Sequence, residues 1–315
     1  FKNTVGTFLT TFATIPTTAI AAAGGTVRRQ VFGQEGGVYW GEVQAALFAS
    51  MAVQRETFKL AASAYKGADT IGGSQLTNQQ RKHAFSAEAF GTSGFIGQTT
   101  NILGNIFTMG RSPTRALQFE DAFWKVTANR MELYKLAYRD AMNKGLKQNH
   151  EAFANHMADF IENPPAYALE QGETIAKYVA LQADLGVTGR SWQKSINKTR
   201  GARWFIPFFK TPTNMIKYVR DHTPAGLWFG EQAELINKGG AEADVARARI
   251  ALGTGVAYYG FTLATEGRIT GGGPIDREQR QAMEKLGWQP YSVRVGDKYY
   301  SIQGAEPWSS MFMLL

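Results

Sequence analysis

Cysteine is absent from the 315 residues of this chain. Its absence excludes a disulfide framework, a thiolate nucleophile and a cysteine-ligated zinc site. The fold must therefore be held by packing, and an apolar content of 44% is enough to build a core. The chain begins with Phe1 rather than Met and ends on an apolar run, so we expect it to be an excerpt of a longer protein.

Charge is missing from three long stretches, residues 3–27, 89–110 and 250–265. A helix that spans a bilayer needs about 20 predominantly apolar residues. The first stretch is long enough, but it is rich in threonine and interrupted by Pro16. The second is rich in Gly, Thr and Asn, and the third is too short. The sequence therefore predicts no constitutive transmembrane helix.

The clearest helix is predicted to begin at Ser112, a good N-cap residue, with Pro113 in the first helical position. It should run through Asn143 and end at Gly145, which can adopt the left-handed conformation of a helix cap. Its apolar residues form two stripes, one of Ala116, Phe119, Phe123, Val126, Leu133 and Ala137, and another of Leu117, Trp124, Met131 and Tyr138. Two stripes predict neighbours on two sides.

Other segments have helical spacing, and one has the alternation of a strand. The predicted helices cover residues 40–66, 150–161, 166–184, 211–222, 226–237, 242–265 and 276–286. Val293 and Val295 alternate with polar residues, and Gly296-Asp297 supplies a two-residue turn before a second strand. The predicted fold is mainly α, an elongated assembly of several helices with one small β-hairpin near the C-terminal end.

The same patterns predict three regions. Residues 1–110 form a helical region rich in Gly, Ala and Thr. Residues 111–266 form the main helical domain, and residues 267–315 hold a linker, a short helix and the hairpin.

No catalytic or metal-binding pattern emerges from the sequence. The four histidines, His83, His150, His156 and His222, do not pair with each other or with acids at metal-site spacing, and we interpret them as surface residues. The glycine run 271–273 lacks the G-K-[ST] ending of a phosphate loop. A Ser-His-Asp set assembled across the fold stays open, since spacing alone does not exclude it. We predict no catalytic residue, no cofactor and no metal.

Positive charge is concentrated between Leu185 and Arg220, in a chain whose net charge is +8. This stretch holds eight cations and no acid: Arg190, Lys194, Lys198, Arg200, Arg203, Lys210, Lys217 and Arg220. Aromatic residues, among them Trp204, are interleaved with the cations. Such a surface can bind DNA phosphates or lipid headgroups, or serve as a contact for a protein partner. The alternative is a solvated charged face with aromatics in the core. We call residues 190–220 the basic–aromatic stretch.

Three motifs resemble a family of very large internal virion proteins, the DNA-ejection proteins of short-tailed phages. The first is the helical run from Arg115 to Lys125 with Asn129 to Leu133 and Ala137 to Arg139. The second, residues 204–214, resembles that family's "PF.(R/K)TP.N" signature. The third comprises residues 269–274 and 287–292 with Tyr299-Tyr300. The motifs occur in the family's order and cover residues 111–310.

The resemblance implies a non-catalytic segment of a DNA-ejection protein, resident in the capsid interior, portal or tail of the virion and later in the host cell envelope. It implies a ring-like homo-oligomer, because portal and tail are cyclic. The implied partners are other ejection proteins, portal or tail proteins, double-stranded DNA and the host membrane. The alternatives are an accessory region of a virion-borne lytic transglycosylase or RNA polymerase, and a tail tape-measure protein.

Overall fold

The computed structural model describes residues 2–65, 112–148, 150–184, 191 and 210–313. The chain is mainly helical with one two-stranded antiparallel sheet, which confirms the predicted class. It forms two compact units, the terminal unit of Phe1–Val43 with Lys217–Leu315 and the central unit of Gln44–Ile216. This division differs from the three predicted regions, because the first helices pack against a helix from the C-terminal third.

The elements follow in chain order. They are α1 (Lys2–Phe12), α2 (Thr14–Phe32), α3 (Trp40–Ala52), α4 (Gln54–Tyr65), α5 (Ser112–Asn143), α6 (Glu151–Glu162), α7 (Ala166–Val179), α8 (Lys210–Asp221), a 3-10 turn (Pro224–Leu227), α9 (Glu231–Lys238), α10 (Gly240–Thr265), α11 (Arg277–Lys285), β1 (Ser292–Val295), β2 (Lys298–Ser301) and α12 (Trp308–Met313).

Pro16 does not interrupt the first uncharged stretch, contrary to the prediction. It lies in the first turn of α2, where a missing backbone N–H is tolerated. Backbone hydrogen bonds from Ala13 to Leu9 (2.8 Å) and from Thr17 to Ala13 (3.1 Å) carry the helical pattern from α1 into α2. Residues Val5–Phe32 are consequently long and apolar enough, by length and composition, to cross a membrane.

Helix α2 packs closely against α10 through small side chains. Ala21 and Ala22 of α2 cluster with Ala248 of α10, all of them buried. At one end of this interface, Arg28 and Asp244 form an ion pair of 2.7 Å. Gly25 faces the loop that follows α2, and a Cβ there would lie 2.6 Å from the carbonyl oxygen of Val38. The short distance between the backbones requires these small residues.

Helix α5 has the predicted bounds and the predicted cap. Gly145 has a φ of +72°, and its N–H bonds to Met142 while that of Leu146 bonds to Ala141, which is a Schellman motif. The helix packs against α4 on one side and α7 on another, so the expectation of two sets of neighbours is confirmed. Its apolar contacts include a cluster of Leu133, Leu136, Ala137, Phe160 and Ala168.

The predicted hairpin is present, and the preceding glycine-rich turn is built into it. β1 and β2 pair antiparallel with Val293 opposite Tyr300, and Ile269 forms a further bridge to Val293. The Thr270 hydroxyl bonds to the backbone of Ser292. Gly273 lies against the ring of Trp288, where a Cβ would approach to 2.5 Å. The third motif therefore specifies contacts within one small substructure.

Candidate functional site

Apart from Ser191, the basic–aromatic stretch is described only from Lys210 onward, in helix α8. Arg190, Lys194, Lys198, Arg200, Arg203 and Trp204 lie outside the described residues. Lys210 begins α8, while Lys217 and Arg220 are half-buried further along it. The candidate site is therefore defined by the described residues on either side of residues 185–209.

Asn214 joins α8 to the turn that precedes the stretch. Its Nδ2 donates to the carbonyl oxygens of Leu181 (3.1 Å) and Ala183 (2.8 Å), and the residue is 3% exposed. Leu181 has a φ of +54°, a left-handed conformation that is unfavourable for leucine and that these bonds help to hold. The chain therefore enters and leaves residues 185–209 next to the same turn.

A buried polar cluster of Asp121, Lys125 and Gln182 lies beside that turn. Lys125 is fully buried, forms an ion pair of 2.9 Å with Asp121 and donates to Oε1 of Gln182. Gln182 in turn donates to Asp121 over 2.6 Å. Burial raises the pKa of the Asp121 carboxyl, against the opposing effect of Lys125 and Gln182. The cluster fixes Gln182, and with it the turn that precedes the stretch, to helix α5.

The acids next to residues 185–209 pair with nearby cations. Asp184 lies 3.6 Å from Lys177, which also pairs with Glu173 at 2.8 Å. At the other end, Asp221 accepts hydrogen bonds from Nε (3.1 Å) and Nη2 (2.8 Å) of Arg220. The Arg220 guanidinium also covers Gly230, where a Cβ would lie 2.5 Å from it. Arg220 is thus used within the chain, and its role in binding a partner stays a prediction.

His222 anchors the end of α8 in the core of the terminal unit, so the interpretation of all four histidines as surface residues is wrong. The ring stacks on Tyr218 at 4.1 Å and meets Trp308 edge-on at 5.5 Å. Its Nδ1 donates to the Tyr218 carbonyl oxygen over 2.9 Å. Burial lowers the pKa of His222 to about 3, and the nearby charge of Arg249 acts in the same direction. The imidazole is therefore neutral and structural at physiological pH.

A second histidine is also engaged within the chain. Nε2 of His156 lies 2.7 Å from Oδ2 of Asp140, which also pairs with Lys144 at 2.9 Å. Burial alone would raise the pKa of Asp140, but hydrogen bonds from Lys144 and His156 lower it below its usual value. The described residues contain no group of three or more His, Cys, Asp or Glu side chains that could hold a metal ion.

Comparison of the chain with protein families, curated proteins and solved structures found no match. Function must therefore be argued from the chemistry of the residues. Sequence reasoning identified the basic–aromatic stretch but missed the cluster that supports it. The i,i+4 spacing of Asp121 and Lys125 was visible in the sequence. The partners Gln182 and Asn214 come from distant segments and had no local signal.

Proposed function

We propose that this chain is a non-catalytic segment of a DNA-ejection protein of a short-tailed phage, and that its basic–aromatic stretch contacts nucleic acid. The three motifs support the family, and the basic–aromatic stretch supports the ligand. Residues 185–209 hold five cations, five aromatic residues and no acid. Such a composition matches a phosphate backbone, because cations displace counterions while rings stack on bases or pack on sugars.

The observation that carries the proposal is the composition of residues 185–209, which hold cations and aromatic residues but no acid. The acids next to this segment have cation partners outside it, Asp184 at Lys177 and Asp221 at Arg220. A segment with this composition fits an external polyanion as its partner.

The hydrogen bonds of Asn214 support the same proposal. They join α8 to residues 181 and 183, so the residues that flank 185–209 on both sides are held together. A segment whose ends are fixed loses less conformational entropy when it binds than a free chain of the same length. Assembly into a ring at the portal or tail would place several such segments around one DNA molecule.

The experiment is charge reversal at Arg200, Arg203 and Lys210, with DNA binding measured over a range of salt concentrations. We expect the plot of log K against log salt to become shallower by about three, because each phosphate contact contributes roughly 0.9 to the slope. The matched control reverses Arg277, Lys285 and Lys298, three exposed cations of the terminal unit. An unchanged slope in the first variant, or an equal change in both, would contradict the proposal.

Location in the particle tests the biological part of the proposal. A density map of the intact virion should place this chain in the capsid interior, at the portal or in the tail. Density found only in an external adhesion fibre would contradict a role in ejection, whatever the affinity for DNA.

A further inference from the structure

The side chains of α1 and α2 are sorted in the opposite way from those of an ordinary helix of a soluble protein. The buried residues are small or hydroxylic: Thr10, Thr11, Thr17, Thr18, Ala21, Ala22 and Gly25. Large apolar residues are among the exposed ones: Val5, Phe8, Ile20, Val27 and Val31. We call the second set the exposed stripe, because its members recur at helical spacing and share one face.

The uncharged half of α10 also exposes large side chains and buries small ones. Gly253, Gly260 and Leu263 are buried, whereas Tyr258 and Tyr259 are 73% and 59% exposed. The two helices run antiparallel, since Arg28 pairs with Asp244 while Ala21 and Ala22 meet Ala248. The charged residues that follow 27 in α2 and precede 250 in α10 consequently lie at the same end of the helix pair. From that end, the uncharged residues of both helices run in the same direction.

Most of the threonine hydroxyls of α1, α2 and α10 donate a hydrogen bond to a backbone carbonyl oxygen about one turn earlier. Thr10 and Thr14 donate to carbonyl oxygens three residues earlier, and Thr17, Thr18 and Thr26 to those four residues earlier. On α10, Thr262 and Thr265 do the same. A hydroxyl bonded in this way does not need water, so these threonines do not exclude the helices from an apolar solvent.

We propose that the exposed stripe, together with Tyr258, Tyr259 and Phe261 of α10, contacts the acyl chains of a lipid bilayer. Small residues between helices and large apolar residues outside are the arrangement that helices adopt in lipid, where close packing replaces the hydrophobic effect as the force between them. Only 39% of the most apolar part of Val5–Phe32 is buried.

Charge and length agree with lipid as the occupant. Residues 3–27 in helical conformation extend about 37 Å, compared with about 30 Å for the hydrocarbon core of a bilayer. Arg28, Arg29, Arg247 and Arg249 lie where the uncharged lengths end. Cations in this position face the anionic headgroups of a membrane surface. The proposal does not rest on the basic–aromatic stretch or on the phage assignment.

Because the chain contains no cysteine, an introduced cysteine gives a unique site for a fluorescent label. Single cysteines are introduced at Phe8, Ile20 or Tyr259, all exposed, and labelled with an environment-sensitive NBD fluorophore. The matched control carries the label at Gln281, an exposed position of α11 in the same unit. Vesicles contain phosphatidylcholine and phosphatidylglycerol, with or without doxyl-labelled lipid as a quencher in the acyl region.

We expect vesicles to raise NBD emission severalfold at the three face positions, to shift it to the blue, and to make it sensitive to doxyl lipid. The label at Gln281 should not respond. Absence of quenching at all three face positions overturns the proposal. Emission that rises with protein concentration and is unaffected by vesicles also overturns it, because a second copy of the chain then covers the face.

A substitution test gives independent evidence. Phe8→Asp with Ile20→Asp should reduce vesicle partition more than tenfold, while the circular dichroism spectrum and melting temperature stay close to those of the parent, since both sites are exposed. Unchanged partition with an intact fold overturns the proposal. Gln281→Asp is the control for the added charge.

The failure of this proposal is distinguishable from the failure of the proposed function. The variant with reversed charge at Arg200, Arg203 and Lys210 should lose affinity for DNA and keep the NBD response to vesicles of phosphatidylcholine alone. If that variant loses the response to neutral vesicles, the basic–aromatic stretch and not the exposed stripe is what holds the lipid, and this inference is wrong.

Discussion

Helices α2 and α5 both bury polar side chains, but they satisfy them over different ranges of sequence. In the uncharged length of α2, Thr17 and Thr18 bond to carbonyl oxygens four residues earlier in the same helix. In α5, the buried Lys125 reaches Gln182, which is 57 residues away. Local bonds survive in any solvent, whereas long-range bonds exist only if the whole central unit folds. The lipid contact proposed for α2 requires local bonds of this kind, whereas α5 joins distant segments of its unit.

At neutral pH, the largest effect is expected when the long-range network of α5 is broken. Lys125→Met leaves the mostly buried Asp121 carboxylate without its cation. We expect the free energy of unfolding, measured with urea, to fall by about 3 kcal/mol. The double variant Asp121→Asn with Lys125→Met removes both charges and should recover part of that loss. Far-UV circular dichroism measures both. Equal destabilisation of the single and double variants would mean that leaving the Asp121 charge unpaired costs nothing.

Close packing in the terminal unit can be broken by a single methyl group. In Gly253→Ala the new Cβ would lie 1.9 Å from the backbone carbonyl oxygen of His222, and we expect a loss of about 2 kcal/mol or more. Gly255, two residues on in α10, has no heavy atom within 4 Å of an added Cβ. Gly255→Ala should therefore stabilise the helix, by up to about 1 kcal/mol. Chemical denaturation compares them, and effects of the same sign would contradict this account.

The same contrast exists in α2, at adjacent residues. Gly25→Ala places a Cβ 2.6 Å from the Val38 carbonyl oxygen, while Gly24 faces open space. We expect Gly25→Ala to lower the melting temperature and Gly24→Ala to raise it slightly. If both variants melt at the temperature of the parent, the interface between α2 and the loop of Val38 is looser than described.

His222 gives the terminal unit a dependence on pH. Its folded pKa of about 3 lies below the ordinary value of 6.5, so the unfolded chain binds a proton that the folded chain does not. Stability should fall as the pH falls from 6.5 towards 3, by about 1.4 kcal/mol per pH unit from this group. His222→Phe preserves a ring against Tyr218 and Trp308 and should remove this part of the slope. The unfolding free energy at several pH values measures it, and an unchanged slope would contradict the assignment.

The sequence predicted those parts of the fold that depend on local signals. The bounds of α5 followed from Ser112, Pro113 and Gly145, and the hairpin followed from alternation around Gly296-Asp297. The prediction that Pro16 interrupts a helix was wrong, because a proline is tolerated in the first turn and the sequence did not show where the helix begins. Spacing also failed for His222, since the rings that bury it come from Tyr218 one turn earlier and from Trp308, 86 residues later.

For the candidate site, the composition of the sequence predicted where the positive charge lies, but not which contacts hold the flanking residues in place. The acid-free stretch was visible in the sequence, as was the i,i+4 pair of Asp121 and Lys125. The contacts of Asn214 with Leu181 and Ala183 were not, because they join segments more than 30 residues apart. Nor did the sequence indicate that α2 packs against the first half of α10, where Ala21 and Ala22 meet Ala248. Helix pairing depends on the fit of small residues along an interface, which leaves no spacing signal in either segment alone.

The smallest effect is expected at the surface of the central unit, where α6 attaches to α5. Asp140 binds both His156 and Lys144, and its lowered pKa means that the carboxylate stabilises the fold above the ordinary pKa of 3.8. Asp140→Asn should cost about 1 kcal/mol at neutral pH, and its difference from the parent should disappear as the pH falls through the lowered folded pKa. Glu170→Gln, at an exposed position of α7, is the control and should change stability little. A loss at Asp140 that persists in acid would indicate a role in packing instead of charge. In that case the central unit would depend on local packing at this edge as well, and the contrast between α2 and α5 would hold only for the buried polar cluster.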